Sequence, residues 1–203
     1  MAEFSIIGFT LPGPLPLSGE EAEAIKLYFD SGAIDIFHIR KPDAEESYVR
    51  GLLKAIPSRL HGRLMLHSHF NLFGEFSLRG VHRKTESTAI FAPAVSRSCH
   101  SLDELLATDE ENLEYSFLSP IFDSISKPGY ASSFDIDNDS VRSAVRKRRV
   151  IALGGVKPQF FKKLFDTKFA GAALLGYLWS SNSSLQDKVN EILLERNSIK
   201  HYI

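Results

Sequence analysis

Cysteine is almost missing from the 203-residue chain, and the single one, Cys99, excludes an internal disulfide framework and any multi-cysteine metal site. An excess of one charge is missing too: 24 Lys and Arg stand against 25 Asp and Glu, a formal net charge of −1. No global pull toward nucleic acid or a membrane surface follows from that balance. The one concentrated basic run, Arg146-Lys147-Arg148-Arg149, follows Val141 and Val145 at helical spacing and reads as a solvated helix end. No apolar run approaches the roughly 20 residues that span a bilayer. Met1 to Thr10 lack the basic segment and long apolar core of a signal peptide. The expectation is a soluble, cytoplasmic protein with neither a nucleic-acid nor a membrane partner. With 43% apolar and 24% charged residues, disorder, collagen-like structure and a coiled coil are excluded as well.

What the chain does contain is a series of short apolar, β-branched runs: Phe4–Phe9, Ile34–Ile39, Leu64–Leu66, Gly80–Val81, Ala94–Val95, Tyr115–Leu118, Val150–Leu153 and Gly171–Leu175. Their length suits buried strands. Helical periodicity fills several of the gaps. Ser18 with Glu21, Asp43 with Glu46, and Ser101 with Glu104 have the spacing of capping boxes. Pro158 suits the first turn of a helix, and Ser184 to about Glu195 carries Leu185, Val189, Ile192 and Leu193 on one face. Strand and helix thus alternate about eight times, which demands a parallel sheet covered by helices. Eight units without a break favour a single compact (β/α)8 TIM barrel over residues 1–203, with an open doubly wound sheet as the other solution. The helix between Arg79 and Val95 is the weakest of the series.

In such barrels the reactive face lies at the carboxyl ends of the strands. The polar residues there are Arg40 and Lys41, then His67 and His69, then His82, Arg83 and Lys84. After them come Ser96, Ser98 and His100, then Ser119, Ser124, Ser126 and Lys127, and last Gly154-Gly155 and Gly176-Tyr177. Phosphate sites in this architecture often use the loops after strands seven and eight, where glycine admits backbone N–H groups close to an anion. A tight turn that needs glycine for steric reasons explains Gly154-Gly155 equally well. Lys127 with its flanking serines can hold an anion, or lie in a solvated loop. His67 and His69, two apart, point to one face if they lie in a strand, and with His38 can approach a metal. No carboxylate cluster accompanies them, so no metal is assigned. His100, at a strand-to-helix junction, can move protons near neutral pH or serve a helix start. Arg40, Lys41, Lys84 and Lys127 place positive charge around the mouth.

Read in order, these strand ends resemble the thiamine phosphate synthase/TenI superfamily over nearly the whole chain, from Phe4 to Leu193. The carriers are Phe37-His38-Ile39-Arg40, Gly80-Val81-His82 and Ser98-Cys99-His100-Ser101-Leu102-Asp103-Glu104. Two more follow, Ser119-Pro120-Ile121-Phe122-Asp123-Ser124-Ile125-Ser126-Lys127 and Ile151-Ala152-Leu153-Gly154-Gly155-Val156. The resemblance implies a barrel that binds a thiazole phosphate through Gly154, Gly155, Gly176 and Tyr177, with Ser124 and Ser126 in place of the family's paired threonines. Two activities are implied. Synthases join a pyrimidine diphosphate to the thiazole phosphate with help from magnesium, and TenI-type tautomerases shift a proton to aromatise a carboxythiazole phosphate.

Departures from the synthase pattern separate the two. Gln-Leu-Arg-x-Lys becomes His38-Ile39-Arg40-Lys41-Pro42, and Asn-Asp after strand three becomes His67-Ser68. The second magnesium aspartate falls near Ser87, beside Glu86, which can replace it if the loop shifts. His-Ile-Arg and Ser-x-His-Ser-Leu-x-Glu resemble the TenI side, whose proposed acid/base maps to His100. The expectation is a TenI-like thiazole tautomerase with no cofactor, magnesium entering only for a synthase. Expected substrate contacts are His38, Arg40, His67, Ser98 and Lys127. The other readings are a thiamine-phosphate synthase, a silent precursor-binding protein, and a metal-dependent hydrolase using His67 and His69. Relatives make a homodimer plausible.

Overall fold

A computed structural model describes residues 4–13, 18–83, 94–110, 112–123 and 134–200. Eight parallel strands form, each where a short apolar run was expected. They are β1 (Ser5–Phe9), β2 (Ile36–Ile39), β3 (Leu64–Leu66), β4 (Gly80–Arg83), β5 (Ala94–Cys99), β6 (Tyr115–Leu118), β7 (Val150–Ala152) and β8 (Gly171–Leu174). Each pairs with its sequence neighbour, and β8 pairs with β1 to close the barrel, which rules out the open sheet. Closure needs a small residue at the seam. A Cβ on Gly171 would lie 2.1 Å from the Ser5 carbonyl oxygen.

The helices are α1 (Ser18–Asp30), α2 (Glu46–Ala55), α3 (Leu102–Leu106), α4 (Asp139–Arg146), α5 (Phe161–Asp166), α6 (Gly176–Trp179) and α7 (Leu185–Lys200). Between β3 and β4 the connection is only a 3-10 turn, Phe70–Gly74. Residues 84–93, where the helix was weakest in the sequence, lie outside the described residues. Among the described residues no helix is long and apolar enough to cross a membrane.

Two apolar layers result from strand alternation. Ile6, Phe37, Ile39, Leu64, Leu66 and Val81 face the helices in the larger layer. Ile7, Phe9, Ile36, Met65, Tyr115, Phe117 and Ile151 fill the lumen. The lumen is therefore packed up to Phe9 and Phe117, and any chemistry must sit above that plug.

Two expectations are corrected. Asp43 does not cap α2, whose N-cap is Glu45 without a side-chain bond. The basic run is only in part a solvated helix end: Arg148 Nη1 donates to the Ala144 carbonyl, and Arg149 Nη2 donates to Ser5 Oγ at 2.9 Å. Arg148 thus turns back on its own helix and is half-buried, while Arg149 stays exposed and reaches the Ser5 hydroxyl at the foot of β1.

Candidate active site

Alternation along β2 carries Ile36 and then His38 into the lumen. The same parity carries Met65 and His67 inward from β3, and His82 inward from β4. Three imidazoles from adjacent strands thus meet on top of the aromatic plug. His38 stacks on Phe9 with ring centroids 4.7 Å apart, and His67 stacks on His82 at 4.2 Å. All three are buried.

Burying imidazole in an apolar lumen is tolerable only if its nitrogens are hydrogen-bonded. His38 Nδ1 lies 2.8 Å from His67 Nε2, and His38 Nε2 lies 2.8 Å from the Tyr115 hydroxyl. His82 is held by Ser96 Oγ at Nδ1 (2.9 Å) and by Ser98 Oγ at Nε2 (3.2 Å). Burial holds the His38 imidazole well below its ordinary range, and the charges of His82 and Arg79 act in the same direction. The Tyr115 phenol is pushed up, again by burial first.

His38 has no exposed surface, and its ring nitrogens are bonded to His67 and Tyr115, so it lies beneath an organic substrate held at the mouth. Ser98 is half-buried with its hydroxyl on His82, and Arg40 is half-buried, two residues beyond His38. The Arg40 backbone is pinned by Thr10, whose Oγ1 accepts from the Arg40 N–H at 2.8 Å. His69 does not join His67. Strand β3 ends at Leu66, the backbone turns left-handed at His69 (φ 53°), and its Nε2 reaches the Ala44 carbonyl at 2.8 Å. Lys41 contributes no charge to the mouth, because it is fully buried in an ion pair with Glu21.

His100 stands exposed just past β5. Its Nδ1 is 3.2 Å from the Ser119 carbonyl oxygen and 3.3 Å from Ser119 Oγ. A carbonyl only accepts, so Nδ1 is the donor in that bond, which in the neutral ring puts the lone pair on Nε2. The His100 backbone N–H donates to Glu104 Oε2 at 2.6 Å, while Ser101 Oγ accepts from the Glu104 N–H.

Beside this segment lie Gly154 and Gly155, with φ of +90° and +64°. A Cβ would fall 2.8 Å from Pro120 Cα at Gly154 and 2.4 Å from the Asp123 carbonyl oxygen at Gly155. The glycines are sterically required here, and they dock the β7 end onto the chain that leads away from Ser119. Gly176 opens α6 and is exposed. The Tyr177 hydroxyl donates to Glu191 Oε2 on α7 at 2.6 Å, so its side chain faces the helix layer and leaves only its backbone for an anion. Ser124, Ser126 and Lys127, like Lys84, Glu86 and Ser87, lie outside the described residues.

Sequence reasoning placed Ser96, Ser119 and His82 at strand ends but gave the two serines no role, did not single out Tyr115, and did not join His82 to the other two histidines. Parity along each strand was the usable signal for His82. Nothing local marks Tyr115.

A family model described as "Thiamine monophosphate synthase" (TMP-TENI) matches residues 15–178. Among solved structures, a thiamine phosphate pyrophosphorylase from Bacteroides thetaiotaomicron is 29% identical at a TM-score of 0.78, covering 98% of this chain and 100% of that one. A thiamine phosphate pyrophosphorylase from Pyrococcus furiosus, 15% identical with a TM-score of 0.76, covers 98% of each chain and shares the fold. Curated proteins give no match.

Proposed function

Starting from the fact that the chain belongs to the thiamine monophosphate synthase (TMP-TENI) family, we propose that it acts on a thiazole phosphate as a TenI-like tautomerase. The observation that carries this reading is the setting of His100. One ring nitrogen is fixed by the Ser119 carbonyl, the other is left basic, and the whole group sits exposed at a strand's carboxyl end. A tautomerase needs a base that removes a proton from one atom of the substrate and returns it at another, with no leaving group to stabilise. His100 Nε2 is suited to both transfers.

Backbone N–H groups around Gly154-Gly155 and at Gly176 would take the phosphate, with Ser124 and Ser126. Arg40 and Lys127 would take the carboxylate, and Ser98 and His67 would floor the pocket over His38. The residues after β3 are His67 and Ser68, with no carboxylate between them. They do not fit the magnesium of the synthase reaction, which needs hard oxygen donors.

The likeness to a 29% identical pyrophosphorylase favours one second reading, a thiamine-phosphate synthase. Incubating the pure protein with each substrate set separates them. The tautomerase converts the carboxythiazole phosphate without magnesium, and His100→Asn lowers its rate by at least about 100-fold, the contribution of a positioned acid/base. Wild-type turnover in His100→Asn would sink the assignment. Magnesium-dependent pyrophosphate release would replace it with the synthase.

A further inference from the structure

We propose that His38, His67 and His82 form a binding site for a divalent ion of the zinc class at the base of the barrel mouth. The three residues come from adjacent strands, are all buried, and each offers one ring nitrogen within 4.8 Å of the others. The inference goes beyond the tautomerase reading and does not depend on it.

The outer ring nitrogens argue for it most directly. A histidine that ligates a metal almost always has its other nitrogen held by a hydrogen bond, which fixes ring orientation and tautomer. His38 Nε2 is held by the Tyr115 hydroxyl at 2.8 Å, and His82 Nδ1 by Ser96 Oγ at 2.9 Å. On the inner side His38 Nδ1, His67 Nε2 and His82 Nε2 converge, and an ion would replace the bond between the first two and the contact of the third with Ser98 Oγ. Tetrahedral zinc with bonds of about 2.0–2.1 Å sets its ligand nitrogens about 3.3 Å apart. His38 Nδ1 and His67 Nε2, now 2.8 Å apart, need to open by roughly half an ångström. His82 must also turn out of its stacking on His67, where the ring planes are 17° apart, so that both in-plane lone pairs meet at the ion.

The chemistry of the set decides which ion. Three imidazoles without a carboxylate or thiolate suit zinc, cobalt, nickel or copper and reject magnesium and calcium. The missing carboxylate cluster therefore excludes hard ions only, since three histidines and one water complete a zinc shell. The fourth position faces Ser98 Oγ, which is 3.2 Å from His82 Nε2 and half-buried at the mouth. A water or an anionic oxygen of a ligand entering from the mouth would fill it.

The test is cobalt(II) titration of the full chain, purified without a histidine tag and stripped with chelator. The expected result is one equivalent per chain with the visible bands of a tetrahedral nitrogen-ligated ion, bleached by zinc and untouched by magnesium. His38→Gln and His82→Gln should abolish the bands, and His69→Gln should leave them intact. Tyr115→Phe removes only a hydroxyl and keeps the fold testable. It should weaken cobalt binding by about 10–100-fold, as lost outer-nitrogen support does. Absence of tetrahedral cobalt bands at one equivalent, or wild-type affinity in Tyr115→Phe together with His82→Gln, would overturn the proposal. The readout is metal occupancy, so it stands or falls apart from turnover of any thiazole.

Discussion

Lys41 carries its ammonium to a place where neither its side chain nor that of Glu21 retains exposed surface. Both Glu21 oxygens face it, at 2.7 and 2.9 Å, and the Gly13 carbonyl takes a further N–H at 2.8 Å. Buried charges survive only when paired and hydrogen-bonded, so removing one partner strands the other. Lys41→Met should lower unfolding free energy by about 3–5 kcal/mol, and Lys41→Met with Glu21→Leu should restore much of it. Urea melts of the three proteins check this. Burial outweighs Lys41 and raises the Glu21 carboxyl above its ordinary 4.5. A raised folded value means the native state holds the proton more readily. That contribution is whole below 4.5 and is lost as pH climbs through the folded value. Wild type should therefore lose stability relative to Glu21→Gln as pH rises through that window, in melts taken from pH 4 upward. Nothing in the sequence signalled this role. Lys41 follows a strand and reads as a mouth cation, and only the return of α1 against the β2 end brings Glu21 to it.

At the scale of elements, the β5–α3 junction was legible and the β2–α2 junction was not. Ser101 and Glu104 are three apart and bond as their spacing predicts, because the next residues run straight into α3. Asp43 and Glu46 have the same spacing, but Lys41 is pulled inward and the Ala44 N–H returns to the Lys41 carbonyl. That turn delays the helix to Glu46. His69 failed for a similar reason: strand parity was extended past Leu66, where the strand had stopped. The α3 cap also yields a prediction that separates stability from function. Ser101→Ala loses the bond to the Glu104 N–H and should lower stability by about 1 kcal/mol, a few degrees in Tm, by calorimetry. Glu104→Ala also frees the His100 N–H that its carboxylate holds at 2.6 Å. Its kcat on the carboxythiazole phosphate should fall about tenfold or more, as expected for a misplaced catalytic group, with KM little changed. Equal KM and kcat in wild type and Glu104→Ala would show that His100 does not depend on this carboxylate.

For the whole molecule, the barrel itself was readable because each strand is a short local run that needs no knowledge of its neighbours. The histidine cluster was readable only in part: His38 and His67 were brought together from neighbouring strands, but with His69 where His82 stands, since the third member appears only once β4 lies beside β3. The same closure divides the molecule into two ends. At the carboxyl end sit His100, Gly154, Gly155 and the three imidazoles. At the amino end Asp35 binds three parts of the chain. Its Oδ2 accepts from the Ile6 N–H of β1 at 2.8 Å, and its Oδ1 accepts from Arg196 Nη2 of α7 at 2.8 Å. Its carbonyl accepts from Arg63 Nε at 2.9 Å, and Arg196 Nη1 also reaches the Gly32 carbonyl at 2.8 Å. If that end serves stability and the other carries the proposed chemistry, the two respond independently. Asp35→Ala strands the Ile6 N–H and removes the carboxylate partner of Arg196, a loss of about 2–4 kcal/mol. For a chain of this size each kcal/mol lowers Tm by about 2–4 °C. Tm should therefore drop by about 4–16 °C, while cobalt affinity and thiazole KM at 20 °C stay at wild-type values. A matching loss of cobalt affinity in still-folded Asp35→Ala would mean that the amino end sets the spacing of β2, β3 and β4 along their whole length.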